Sequence, residues 1–242
     1  MPQRNIEGMM MNIQKFNSDQ ENKIQVKICG TTDSHELSML DRIGVDYAGL
    51  WFNVPQGKYT LDRQKFIGLA RTPVNRLQCI GVTTESDPDV VSQLVRESGV
   101  TGIQLHGFQF PAEVVSIKRR LGDSVTLLKV LHIQNGKCLE KPLLKEYARC
   151  GADAFILDNF ISRERSGSTG QRIPTATVAG LVELFGSERV FLAGGLDEQG
   201  IRDLRSNLPL RGVDIDSGAR VQSRIDGRLV MGIVAAAGAR VN

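Results

Sequence analysis

Strand-like and helix-like stretches alternate along the 242 residues, which predicts an α/β protein, a (β/α)8 TIM barrel folded as a single domain. Two observations carry that expectation. From Ile24 onward, short β-branched or aliphatic runs recur eight times, separated by stretches with apolar residues at three- and four-residue spacing. The turn after the first run reads "CGTTDS", without the G-x-G-x-x-G that announces the competing open, nucleotide-binding sheet.

Strands are expected at residues 24–28, 47–52, 77–82, 102–105, 126–131, 154–157, 190–192 and 212–215. Helices are expected at 34–43, 88–97, 112–121, 139–148, 176–184 and 198–204. Gly30 ends the first strand, and Asp33 is placed to cap the helix that starts at Ser34. Residues 1–22 are mostly polar and aperiodic and read as a flexible extension, leaving 23–242 for the barrel.

Composition narrows the function classes. Hydrophobic residues at 41% supply a large core, while a net charge of +3 and the absence of a basic stripe with interleaved aromatics argue against a nucleic-acid partner. No stretch approaches the roughly 18 consecutive apolar residues of a membrane span. Cys29, Cys79, Cys138 and Cys150 have neither the paired spacing of a zinc site nor the density of a disulfide scaffold, so a reducing, cytoplasmic compartment and no metal are expected.

In a barrel, reactive groups gather where strands end. That rule selects Cys29, His106, Asp158, Gly194, Gly195, Asp214, Asp216 and Ser217. Taken singly, a cysteine there is ordinarily core filler, an aspartate a turn cap and a histidine a packed, hydrogen-bonded residue. The seventh and eighth loops, "LAGGLDEQG" and "DIDSGAR", change those odds. Their glycines let backbone N–H groups approach an anion, and two such loops side by side form a phosphate site from Gly194, Gly195, Ser217 and Gly218. The long sixth loop, "DNFISRERSGSTGQRIP", reads as a lid, with Gly167 and Gly170 as hinges or phosphate-facing amides.

The motifs "KICG", "IQLHG", "FILD", "GSTG", "LAGGL" and "GVDIDSG" occur in the order and spacing of the phosphoribosylanthranilate isomerase family, which the chain resembles from Ile24 to about Ala237. The resemblance implies a cofactor-independent Amadori rearrangement in tryptophan biosynthesis, an aldose-to-ketose isomerisation of a small phosphorylated sugar-amine. It implies that Cys29 is the base, Asp158 the acid, and Asp214 a contact to the substrate's amine and hydroxyl region. It also implies that the "GSTG" segment, with Gly170, joins the phosphate site, and that His106 lines the pocket without being the base. The resemblance leaves the oligomeric state open.

A thiol acts as a base only where positive charge or amide dipoles favour the thiolate. Lys27 is not expected to supply that charge, since strand alternation is taken to turn it away from Cys29. Several positions depart from the family pattern. Lys58 aligns with the arginine that holds the anthranilate carboxylate, and a lysine lacks its two-pronged donor. "QRIPT" follows "GSTG" in place of a Phe-Asp-Trp run, "CIGVTTESDP" lacks its usual phenylalanine, Asp216 stands for a serine, and Arg220 stands for a glutamate. Because these changes gather on the aglycone side, two alternatives stand beside the isomerase: a divergent paralogue acting on another N-ribosyl phosphate, and a non-catalytic phosphosugar-binding relative.

Overall fold

The computed structural model describes residues 23–160 and 172–238. The N-terminal segment, Gly167 and Gly170 lie outside the described residues. Eight parallel strands form the barrel: β1 (Gln25–Cys29), β2 (Tyr47–Phe52), β3 (Gln78–Thr83), β4 (Gly102–Leu105), β5 (Thr126–Gln134), β6 (Ala154–Asn159), β7 (Val190–Leu192) and β8 (Gly212–Ile215). Each pairs with its sequence neighbours, and β8 pairs in parallel with β1, with Lys27 opposite Asp214 and Ile28 opposite Ile215. Closure leaves the ring without a free edge.

Alternation divides the strand side chains into two sets. One set, with Val26, Ile28, Ala48, Leu50, Ile103, Leu127, Phe155 and Val213, packs against the surrounding helices in the main core. The other, with Tyr47, Ile80, Leu128, Val130, Ala154, Ile156, Phe191 and Ala193, fills the barrel interior as a separate cluster. Above that plug a small cluster of Cys29, Trp51, Val54 and Val82 forms the floor of the barrel mouth. A filled interior makes the mouth the place where chemistry has room.

The helices are α1 (Ser34–Ile43), α2 (Arg63–Ala70), α3 (Pro88–Ser98), α4 (Pro111–Leu121), α5 (Leu144–Tyr147), α6 (Thr175–Phe185), α7 (Glu198–Asn207) and α8 (Gly227–Ala236). Asp33 caps α1 as expected, accepting from the N–H groups of His35 and Glu36 at 2.9 Å each. Three elements differ from the sequence reading. Helix α2 buries only Phe66 and Leu69, too few apolar positions to announce a period, although Asp62 caps it through Lys65 N–H. Helix α8 follows an Asp226 cap but reads as almost continuously apolar, which masks its amphipathic face.

The third difference lies after β5. The helix expected over 139–148 shrinks to a 3-10 turn at Lys141–Leu143 and the single turn of α5, with Pro142 in its first part. In its place β5 runs on to Gln134, and Lys137–Cys138 folds back on it around Asn135 (φ +50°) and Gly136 (φ +74°). Both turn residues adopt the left-handed backbone that an Asn-Gly hairpin turn requires. The consequence is that Glu140 returns beside His132 at the barrel mouth.

Candidate active site

At the mouth, one cavity is lined by Cys29, Trp51, Val54 and Val82, by His106 and Asp158, and by Gly194, Gly195, Asp214, Asp216, Ser217 and Gly218. The sequence reading singled out all of these but Trp51, Val54 and Val82. Around the ring β7 and β8 lie between β6 and β1, so the glycine loops occupy the arc between Asp158 and Cys29.

Cys29 ends β1 with its side chain turned inward and buried. Trp51 donates its indole N–H to Sγ at 3.0 Å, and the Lys27 ammonium donates at 3.2 Å. The expectation about Lys27 is thereby corrected. Lys27 and Cys29 are two residues apart, not adjacent, and residues i and i+2 of a strand share a face. Lys27 is fully buried and its Nζ also donates to Asp214 Oδ1 at 2.9 Å. Burial works against its charge, but Asp214 and Cys29 outweigh it and hold its pKa above the ordinary lysine value. Gly49 makes the contact possible, because a Cβ there would lie 2.9 Å from both Sγ and Nζ.

Of the two catalytic candidates, Asp158 is tuned toward its role and Cys29 away from it. Burial, helped by Asp214, raises the Asp158 carboxyl to about 7, which keeps a proton available near neutral pH. Burial and Asp214 also push the Cys29 thiol up to about 12, against the pull of Lys27 and the Trp51 hydrogen bond. His106 faces Asp158 across 3.9 Å. Burial, with nearby positive charge, pushes the imidazole down to about 3, so it stays neutral. Gln104 Nε2 lies 3.2 Å from its Nδ1, an arrangement that leaves the ring proton on Nε2, toward the acid.

Gly194 (φ +83°) and Gly195 (φ +64°) turn the chain after β7 in a conformation that L side chains rarely adopt. Neither donates its N–H to a backbone carbonyl among the described residues. Gly218 packs so tightly that a Cβ would overlap the Leu196 carbonyl, which brings the two loops together. The helix expected directly after Ser217 and Gly218 is displaced. A 3-10 turn (Ser217–Ala219) and a hairpin of Arg220–Val221 with Arg224–Ile225 come first, then α8.

That hairpin explains two of the departures from the family pattern. Arg220 Nε donates to Asp216 Oδ1 at 2.7 Å, so the two unusual residues are partners one helical-turn spacing apart. The same guanidinium donates to the Cys29 and Gly30 carbonyls at 2.8 Å each and to the Ser223 carbonyl at 3.1 Å, and lies 3.9 Å from the Tyr59 ring centroid. It clasps the β8 loop onto the end of β1. Lys58, by contrast, does not line the cavity. The turn that bonds Gly57 N–H to Val54 and Thr60 N–H to Gly57 directs Val54 inward and leaves Lys58 exposed, its ammonium on the Ser223 hydroxyl.

Comparison with known proteins agrees with this geometry. A family model described as N-(5'phosphoribosyl)anthranilate (PRA) isomerase matches residues 26–235. A Synechococcus protein named N-(5'-phosphoribosyl)anthranilate isomerase is 30% identical over 205 residues, 83% of this chain and 84% of its own. One of the same name from Acetivibrio thermocellus is 25% identical over 197 residues, 80% of this chain and 86% of its own. The crystal structure of phosphoribosyl anthranilate isomerase from Thermotoga maritima superposes with a TM-score of 0.73 at 19% identity, over 88% of this chain and 98% of that one. With the family model matched from residue 26 to residue 235, far more than half of the chain, the chain belongs to the N-(5'-phosphoribosyl)anthranilate isomerase family.

Proposed function

We propose that this protein converts N-(5'-phosphoribosyl)anthranilate to 1-(2-carboxyphenylamino)-1-deoxyribulose 5-phosphate in tryptophan biosynthesis. One observation carries the reading: a buried thiol beside an ammonium and a carboxyl raised to about 7 share a cavity with two glycine loops suited to a phosphate. The crystal structure of phosphoribosyl anthranilate isomerase in complex with reduced 1-(o-carboxyphenylamino)-1-deoxyribulose 5-phosphate has the same fold, with a TM-score of 0.68.

The backbone N–H groups of Gly194, Gly195, Ser217 and Gly218 hold the phosphate. Asp158 gives its proton to the ring oxygen as the furanose opens to a Schiff base. Cys29, as the thiolate, then takes the C2 proton to leave an enolamine, which tautomerises to the ketone. Lys27 stabilises the thiolate and is itself held by Asp214, which also faces the sugar. No metal or organic cofactor enters this scheme. The four cysteines are unpaired, as suits a reducing, cytoplasmic compartment.

Retention of both acid and base favours this reading over a non-catalytic relative, and the family assignment favours it over a divergent substrate. The test is growth of a tryptophan auxotroph lacking this isomerase, paired with turnover by purified protein. Rescue by the wild type, lost in Cys29→Ala and in Asp158→Asn, is the expected result. A folded, well-expressed wild type that neither rescues nor turns over the substrate overturns it.

A further inference from the structure

Three side chains that the reaction scheme does not use form a connected chain of contacts ending on the Cys29 thiol. Trp51 is buried, lines the cavity and gives its indole N–H to Sγ at 3.0 Å. Tyr59, from the turn after β2, meets the indole edge-on, with centroids 5.6 Å apart and planes 71° from each other. The Arg220 guanidinium in turn lies 3.9 Å from the Tyr59 ring centroid. Two glycines let these parts close up. A Cβ on Gly30 (φ +77°) would lie 2.7 Å from the Tyr59 ring and 2.8 Å from the guanidinium, and one on Gly57 would lie 3.0 Å from the Trp51 ring.

The charges around the thiol show what this chain is worth. Burial opposes the thiolate, and so do Asp214 of β8 and Asp216 of the loop after it, while Lys27 on its own strand and Trp51 favour it. Asp158 and His106 stand across the same cavity. Lys27 divides its donors between Sγ and Asp214, whereas the indole N–H makes its one hydrogen bond among the described residues to Sγ. An indole N–H only donates and does not titrate in this range, so its pull is constant provided the ring stays in place. Tyr59 blocks the ring, and Arg220 fixes Tyr59. That guanidinium is nearly buried and is itself anchored on the Asp216 carboxylate and on the Cys29, Gly30 and Ser223 carbonyls. Its charge also offsets that of Asp216, and a cation on an aromatic face gains strength where water is excluded.

We propose that Trp51 is a catalytic residue, the second donor to the Cys29 thiolate, and that Tyr59 and Arg220 are positioning residues whose stack keeps the indole N–H on the sulfur. The proposal rests on the isomerase reading for the role of Cys29 as the base. It gives the hairpin after β8 a function: the residue that clasps the loop also clamps the support of the base.

Trp51→Phe removes the N–H and keeps a ring, Tyr59→Leu removes the stack, and Tyr59→Phe keeps it. Alkylation of Cys29 by iodoacetamide at fixed pH reads the thiolate with no assumption about substrate, and peptide mass spectrometry separates it from the other three cysteines. Loss of a hydrogen bond to a charged acceptor lowers the thiolate fraction by about 10- to 100-fold, and the more basic thiolate regains part of this in reactivity. The rate is therefore expected to fall about 3- to 10-fold in Trp51→Phe and in Tyr59→Leu. Tyr59→Phe restores the wild-type rate. The kcat for phosphoribosylanthranilate falls in parallel, while KM holds in Tyr59→Leu because Tyr59 does not line the cavity. Since Tyr59 acts through Trp51, the double variant is expected to lose no more than Trp51→Phe alone. Additive losses, or an alkylation rate in Trp51→Phe that is unchanged or higher, overturn the proposal. Trp51 is the chain's single tryptophan, so its fluorescence reports the indole directly. Arg220→Met is expected to move the emission to longer wavelength and to slow alkylation as Tyr59→Leu does; wild-type emission and rate in that variant overturn the part given to Arg220. If the alkylation effects appear in a protein that does not turn over phosphoribosylanthranilate, the isomerase reading fails and the support of the thiol stands.

Discussion

Asp158 must begin the reaction protonated and Cys29 must act deprotonated, yet with values of about 7 and about 12 the resting protein favours the proton on both. The working form is therefore a minor one, and its pH dependence follows. Below about pH 7, Asp158 keeps its proton while the thiolate fraction grows tenfold per unit; above it, loss of the Asp158 proton cancels that gain. kcat/KM is expected to rise to about pH 7 and then level off. Asp158→Asn should cut turnover by about 10²- to 10⁴-fold and erase the break, so that residual activity keeps rising with pH. Steady-state kinetics across the range check this. A fall in the wild-type profile just above pH 7 would place the thiol below the acid and reverse the order. Cys29 and Asp158 are legible in the chain through their strand-end positions together with the ordered motifs of the family, since either residue alone reads as core filler or a turn cap. Lys27 is equally visible, and the two-residue period of a strand puts it on the same face as Cys29. Trp51 and Gly49 read as ordinary strand residues, and only the packing shows an indole N–H and a missing Cβ at the sulfur.

At the scale of elements, the site depends on loops anchored far from it. Asp41 near the end of α1 accepts from the backbone N–H groups of Asn75, Arg76 and Leu77 at 2.9 to 3.0 Å, and so fixes the entry to β3. Burial opposes the charge slightly, but these donors, Arg76 first, hold the carboxyl below its ordinary value. Asp41→Ala is expected to cost about 2 kcal/mol at neutral pH, measured by urea unfolding. A depressed carboxyl contributes fully above its unfolded value of about 3.9 and loses that contribution as pH falls through the lower folded value. The gap between wild type and variant should therefore close on acidification. A gap that widens instead would assign the effect to something other than the charge. Strands and the well-patterned helices were readable from period alone. The "QNGKC" turn carried its own signal in Asn135-Gly136, but the apolar residues of 139–148 imitated a helix. Nothing local says that Glu140 is wanted beside His132, since that need arises only when β4 and β5 stand side by side.

For the whole molecule, closure of the barrel and assembly of the site are one event. Lys27 and Asp214 are register partners across the β1–β8 seam, and their ion pair lies inside it, nearly free of water. Breaking such a pair strands a buried charge, so Lys27→Met is expected to cost about 3–5 kcal/mol in unfolding free energy. A double variant, Lys27→Met with Asp214→Leu, should recover most of that loss, because two apolar side chains replace two desolvated charges, while activity stays absent. Urea unfolding and turnover measured on the same samples separate the two effects. A double variant as unstable as the single one would mean that the seam needs the charges for closure itself. The Arg220 clasp ties the same seam from outside, joining the β8 loop to the Cys29 and Gly30 carbonyls.

What the sequence determined by itself was periodic or chemical. Eight strands, most of the helices and the paired glycine loops are written in short windows, and the strand-end cysteine and aspartate gain their meaning from the ordered set of such windows along the chain. What tertiary structure decided was everything set by distance between strands. It joined Lys27 to both Cys29 and Asp214 and made Asp216 and Arg220 partners whose clasp reaches Cys29. It turned Lys58 away from the cavity, and it drew Phe108 and Phe160 from two loops and His132 from β5 into one wall. The physical reason is the barrel's geometry: side chains far apart in the chain become neighbours only when the ring closes, and their charges and ring faces act over a few ångströms.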